Sequence, residues 1–417
     1  KCCGLRHALL THGPSVAKSQ MLLYDNKRFF SLLLNRRGSV FYRWDSLLGG
    51  LFVAGLAGAI QYMHSSEWEY APEIQHHYGL QALGVAVTWA IVFRTNLAWS
   101  RYWEAVTQLH VMYSKWADAF SQFQGFADVT LKAAREKKDE EKEKRIMLKQ
   151  RRLKVNFCLL SAMAADRLAN GDSQVIEEMS RKVRSRSAMR VEKEMKGFEL
   201  PSMVEKNVFD RDLRKVGSYV LLCKPSQQQV ELLTQSHDAV SSVMYWILWD
   251  LASVMKDIDT APPIQSRMYQ ELSNGMLAFN NCLKLADVPF PLPFAQLLLL
   301  LLVAFSLLIP LYVIVFTKSP VVGPVLCFFL FESLWCLNEV AKELENPFGQ
   351  DMNDISLPDF HLRFVDNLES VSCSDGQQEM LLEPGIDDDL PRSELRALAA
   401  AQQAEVVSNK DTTKVRL

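Results

Sequence analysis

The chain has no Cys-x-x-Cys pair and no Cys/His spacing suited to zinc, although it carries eight cysteines. It has no HExxH, no GxSxG, no P-loop and no GxGxxG. Metalloprotease, hydrolase and nucleotide-binding chemistry therefore have no anchor here, and no enzymatic role is expected. Its formal net charge is only -2, which leaves no basis for nucleic acid as a partner. His76 and His77 are adjacent, and adjacent residues do not share a helix face, so they make a poor metal pair. Cys327 and Cys336 sit in apolar runs and read as small core residues.

What the chain does have is segregation, with almost purely apolar runs beside almost purely charged ones. Four stretches are candidate membrane spans, since a bilayer core takes about 20 apolar residues per helix. They are 46–64 (SLLGGLFVAGLAGAIQYMH), 77–99, 292–316 (LPFAQLLLLLLVAFSLLIPLYVIVF) and 320–338 (PVVGPVLCFFLFESLWCLN). The third holds six consecutive leucines, which no soluble helix needs. The first is rich in Gly and Ala and suits close helix packing. None has the placement of a cleaved signal peptide, and Lys1 in place of Met is compatible with a leader already removed.

Flanking charge sets the expected topology. Lys27, Arg28, Arg36, Arg37 and Arg43 precede the first span, and Arg94, Arg101 and Lys115 follow the start of the second. The loop between them, SSEWEYAPEIQ, is acidic and lacks Lys and Arg. The positive-inside rule puts both basic flanks on the cytosolic side or its organellar equivalent. The expected organisation is an N-terminal segment (1–45), a first hairpin (46–99), a helical extramembrane region (100–291), a second hairpin (292–338), a post-helix packing segment (339–370) and an acidic tail without fixed structure (371–417), with one short helix near 392–406.

Within the middle region, LKAAREKKDEEKEKRIMLKQRRLKVNFCLL is expected to form one long solvated helix with i,i+4 charge pairs. SRKVRSRSAMRVEKEMK reads as an exposed helix, with contact to anionic headgroups as an alternative. QSHDAVSSVMYWILWDLASVMKDID has helical periodicity and is expected to end at APP. Glu332 lies inside the fourth span, where a carboxylate is either a functional group or an interhelical hydrogen-bonding one.

The second span carries the most information. Val85, Trp89 and Phe93 recur at i, i+4 and i+8 and stack along one face. Ala82, Gly84, Ala86 and Ala90 let neighbouring helices approach. Immediately after Phe93 come Arg94, Asn96, Ser100 and Arg101. The stripe is either a lipid-facing or core stripe, or an apolar constriction with a basic, amide-rich mouth that concentrates anions. For Arg94, pairing with a carboxylate and facing a pore stay equally open. For Arg101, beside Trp99, Tyr102 and Trp103, stacking and interfacial anchoring is the alternative.

The segments VFRTNLAWSRYWEA, LADVPFPLPFAQ and EVAKELENPFGQDMNDISLPDF resemble the bestrophin family, the last most specifically through its Asn-Pro-Phe-Gly-x-Asp core. The order of hairpin, helical insert, hairpin and tail agrees, and the resemblance covers roughly 24–368. Arg101-Tyr102-Trp103-Glu104 and Asn353-Asp354 look closer to bacterial, algal and plant members than to animal ones. Plant members are thylakoid chloride channels and some algal relatives are implicated in bicarbonate movement, so a plastid thylakoid membrane is expected ahead of a plasma membrane.

The resemblance implies an all-α membrane protein with four transmembrane helices per subunit and a cytosolic helical bundle, assembled as a homopentamer around a central pore for chloride or bicarbonate. The family's neck positions fall on Val85, Trp89 and Phe93, where Trp89 departs from the commoner Ile/Phe pattern. A second constriction falls near 262–268, at Ile264. A calcium clasp would use Asp351 and Asp354 with carbonyls at Glu343 and Asn346 and one from the N-terminal segment; calcium is the only cofactor the resemblance implies. The alternative is a plain turn, because Met352 and Asn353 interrupt the acidic run. Membrane lipid is the remaining partner. A non-conducting scaffold and an anion carrier are the competing functions, although the two hairpins show no inverted repeat.

Overall fold

The computed structural model describes residues 30, 34–36, 38–68, 78–170, 215–216, 219–223, 225–317, 319–349, 351 and 353–372. The two histidines, the second basic run, most of the acidic loop and the tail from 373 lie outside them. A 3-10 turn (Val40–Tyr42) leads into α1 (Trp44–Ser65), followed by α2 (Tyr78–Glu136) and α3 (Glu140–Asn170). A two-residue antiparallel pair, β1 (Lys215–Val216) with β2 (Tyr219–Val220), precedes α4 (Gln227–Gln235), α5 (Ala239–Val254) and α6 (Pro262–Asp287). The chain then runs through α7 (Leu292–Phe316), α8 (Val322–Glu345) and α9 (Leu357–Ser372).

Four of these helices, α1, α2, α7 and α8, are long and apolar enough to cross a membrane. They share one core in which Val53, Val87, Ile91, Leu302, Ile309 and Phe331 are buried. Small residues set the spacing. A Cβ at Gly49 would lie 2.6 Å from the Phe331 ring, and one at Gly84 would lie 3.0 Å from Phe305. Both glycines therefore admit an aromatic ring against helix backbone.

No break falls at residue 99. α2 runs unbroken for 59 residues, about 90 Å, roughly three times the hydrocarbon thickness. Its outer part is a soluble-type helix with one buried face: Leu109, Met112, Trp116, Phe120 and Phe123 are covered. α6 packs along it most intimately at Gly275, whose missing side chain accommodates the Trp116 indole. α9 closes the same region, with Phe360 and Phe364 ringed around Tyr113 at 6.0 and 5.4 Å between centroids.

Two expectations for the middle region are corrected. The charge run does not form one long helix. α2 stops at Glu136, Lys138 takes a left-handed conformation (φ 57°), and α3 starts at Glu140. Nor is α3 wholly solvated: Leu153, Phe157 and Leu160 are buried, and Lys149 and Arg152 reach the fully buried Asp250 on α5 at 2.9 and 2.8 Å. A charge run cannot reveal a buried acid a hundred residues away. Ala261-Pro262-Pro263 does not end a helix either. α5 has already stopped at Val254, and the prolines occupy the first turn of α6, where their missing N–H groups cost nothing.

Candidate functional site

The inner half of α2 is two-faced. Val87, Ile91, Arg94 and Ala98 are buried against the other spans. Val85, Trp89 and Phe93 are 54%, 72% and 52% exposed, and Asn96 and Ser100 continue that exposed line. The 3.6-residue period places all five on one face. Trp99 stacks between Tyr102 and Trp103, at 6.3 and 6.1 Å. Ile264, in the first turn of α6, is also about half exposed.

The two arginines do not join this face. Arg94 is buried, and its Nε and Nη2 donate to the Glu345 carboxylate at 2.6 and 2.9 Å. Its Nη1 donates to Asn338 Oδ1 at 2.8 Å. The guanidinium also lies 5.4 Å from the Phe290 ring centroid. The expectation of Arg94 as a mouth charge is thereby corrected in favour of its alternative, a carboxylate pair. The physical reason is that an arginine on the packed face of a span must be neutralised locally. Arg101 Nη2 donates to the carbonyls of Leu285 and Val288, at 3.0 and 2.7 Å, and so satisfies the last turn of α6. It does not stack among the neighbouring tryptophans, which stack on one another.

The sequence reading missed Asn338, Glu345, Phe290 and Phe294. One signal was present: an arginine in an apolar helix demands an acid, and the fourth span runs out into three of them, Glu339, Glu343 and Glu345. Glu332 serves as an interhelical contact. Its Oε2 accepts from Ser46 Oγ at 2.6 Å, and its Oε1 is packed against Gly50, where a Cβ would approach within 2.8 Å.

The turn after α8 begins where Asn346-Pro347 stops the helix. Gly349 is needed for close approach, because a Cβ there would sit 2.5 Å from Asp354 Oδ2. That oxygen accepts the Asp351 amide at 2.7 Å. Burial is the main influence on the Asp354 carboxyl and pushes it up to about 6, against the pull of that bond. The Asn346 carbonyl accepts the Gly349 amide. Asn353 Nδ2 donates both to Glu343 Oε2 at 2.8 Å and to the Gly38 carbonyl at 3.0 Å. Among the described residues, no three His, Cys, Asp or Glu side chains gather as a metal-binding group. Of the oxygens expected to face calcium, Asp354 Oδ2 and the Asn346 carbonyl already face backbone N–H groups, and the Glu343 side chain and Gly38 carbonyl share the Asn353 amide, an arrangement that fits a hydrogen-bonded turn better than the ion.

These features define an all-helical, multi-pass membrane protein whose second span presents a continuous exposed stripe. The model of the family described as bacterial/fungal bestrophin protein matches residues 21–208 and 211–369. The chain belongs to the bestrophin family. Among solved structures it is similar to a point variant of a bacterial bestrophin homologue from Klebsiella pneumoniae, with a TM-score of 0.57 and 15% identity over 79% of this chain and 98% of that one. A structure of the Klebsiella homologue phased from zinc gives a TM-score of 0.57 at 15% identity, covering 78% and 97%. A third, described only as a membrane protein with a proline replaced by alanine, gives 0.57 at 15%, covering 79% and 97%. No curated protein sequence matches. The bacterial and fungal character of these matches lends the thylakoid expectation no support.

Proposed function

We propose that this protein is a passive anion channel, a homopentamer in which five copies of α2 surround one pore. The observation that carries the reading is the stripe Val85–Trp89–Phe93, exposed on a helix whose opposite face is fully packed. A protomer that leaves such a stripe uncovered beside three other spanning helices has a face that assembly can turn toward an axis. In that assembly the three side chains form an apolar neck, and Asn96 and Ser100 supply polar groups just inside it. Ile264 would form the second constriction.

An apolar neck conducts weakly bound ions. Aromatic rings have a positive edge, so rings turned edge-on favour anions over cations. Trp89 adds an indole N–H donor. Weak binding lets an ion leave as well as arrive, and an apolar ring can close by dewetting. Chloride is the simplest permeant ion for this geometry, and bicarbonate is a planar competitor of the same charge. The buried Arg94 and the carbonyl-bound Arg101 mean that positive charge near the mouth acts as structure. Selectivity is then assigned to the neck.

Chloride efflux from vesicles containing the purified protein tests this. Trp89→Ala with Phe93→Ala should raise efflux while the oligomer keeps its size by light scattering. Unchanged efflux in a correctly assembled double variant removes the neck assignment.

A further inference from the structure

Phe93 is exposed on one side only. On its flank, 5.7 Å between centroids and tilted by 59°, lies Phe294 in the first turn of α7. Phe294 in turn meets Phe290 edge-to-face at 5.5 Å and 72°. Phe290 sits against the Arg94 guanidinium, which Glu345 and Asn338 hold in place. Two turns along α2, Arg101 holds the carbonyls of Leu285 and Val288. The segment 285–294 is therefore fastened to α2 at three levels: residues 93, 94 and 101.

From this we infer that Phe294 is a positioning residue for the ring of Phe93, and that the segment joining α6 to α7 acts as a latch on the neck. The inference rests on Phe93 being a neck residue. A phenyl ring with only one packed flank keeps its rotamer because of that flank. Phe294 is braced in turn by Phe290, whose ring rests on the guanidinium of the bidentate Arg94–Glu345 pair. Movement of α7 relative to α2 at this level then changes the Phe93 rotamer, and the aperture with it. α6 carries Ile264 at its other end, so the same segment links both constrictions along one chain.

The test uses the full chain in vesicles, with Phe294→Ala, Phe294→Leu and Phe294→Tyr, each alone and with Phe93→Ala. Phe294→Ala should raise basal chloride efflux by about tenfold, the size of a typical coupling between sites. Phe294→Tyr, which keeps the ring, should restore the wild-type rate. Leucine fills most of the space without a ring and should behave like alanine. In the Phe93→Ala background, removing Phe294 should add nothing. A second readout needs no conduction: in Trp89→Cys protein, labelling of the new thiol by an anionic thiosulfonate, followed by peptide mass, should speed up about tenfold when Phe294 is replaced by Ala. The latch is overturned if Phe294→Ala leaves both rates unchanged or lowers them, or if its effect is the same with and without Phe93. If Phe93→Ala itself leaves efflux unchanged, the neck reading fails and takes the latch with it. If Phe93→Ala raises efflux while Phe294→Ala does not, only the latch fails.

Discussion

Arg94 and Glu345 lie 251 positions apart and meet through two parallel hydrogen bonds of 2.6 and 2.9 Å. This pair joins the second span to the last residue of the fourth, directly ahead of the Asn346-Pro347 turn.

Because Arg94 is buried and bidentate, removing its partner strands a charge. Glu345→Ala should cost on the order of 3–5 kcal/mol in stability, read as a lowered midpoint in thermal unfolding of detergent-solubilised protein. Arg94→Gln should destabilise comparably. Its effect on conduction should not grow at low salt, because the guanidinium is paired inside the protein and does not act as a screened surface charge. A conductance loss confined to low salt would return Arg94 to the pore mouth.

Gly275 leaves room only for the Trp116 ring. Gly275→Ala should force one helix away from the other and cost about 1–3 kcal/mol. Combining it with Trp116→Phe should recover part of that loss, since the two positions share one space. Additive losses in the thermal midpoint would show that they do not.

His361 is buried between Ser161 and Val220. Nε2–H donates to the Val220 carbonyl at 2.8 Å, which leaves Nδ1 to accept from Ser161 Oγ at 2.7 Å. Burial pushes the imidazole down from 6.5 to about 4, with the Val220 bond opposing it weakly. A group whose proton affinity is lower in the folded state favours unfolding as pH falls. Stability should therefore drop between about pH 6.5 and 4, by on the order of 3 kcal/mol for this residue, and level off below. His361→Gln should flatten that slope in midpoints measured across the range. An unchanged slope would assign it to other groups.

Asn353 brings an amide N–H to two oxygens that a cation would otherwise bridge, Glu343 Oε2 and the Gly38 carbonyl. Calcium should accordingly leave the thermal midpoint of the wild-type protein where it is in chelator. Asn353→Asp replaces the donor with a carboxylate beside that of Glu343, so it should lower the midpoint in chelator and gain stabilisation from millimolar calcium. Calorimetric heat of micromolar calcium binding to the wild type would overturn this.

Much of this architecture could be read in advance because its signals are local. Six leucines in a row, an i, i+4, i+8 apolar stripe and an Asn-Pro dipeptide each act within a few residues, and each marks its element. What the sequence concealed was pairing across distance. Arg94 looked the same whether it faced water or Glu345. Lys149 and Arg152 looked solvated because Asp250, which gathers them, is a hundred residues on. Ala261-Pro262-Pro263 was read as a helix stop and is a helix start, since proline is equally compatible with stopping one helix and starting the next. Phe290 and Phe294 carried no local signal, because their partners Arg94 and Phe93 lie about two hundred residues earlier on α2.

The central claim, an anion pore with its neck at Val85, Trp89 and Phe93, is tested most directly by single-channel recording in a planar bilayer. Purified oligomer should give discrete unitary currents whose reversal potential follows the chloride gradient, and Trp89→Ala/Phe93→Ala should enlarge the unitary current. Slow saturable flux without discrete steps, or silence from a correctly assembled oligomer, would contradict the account.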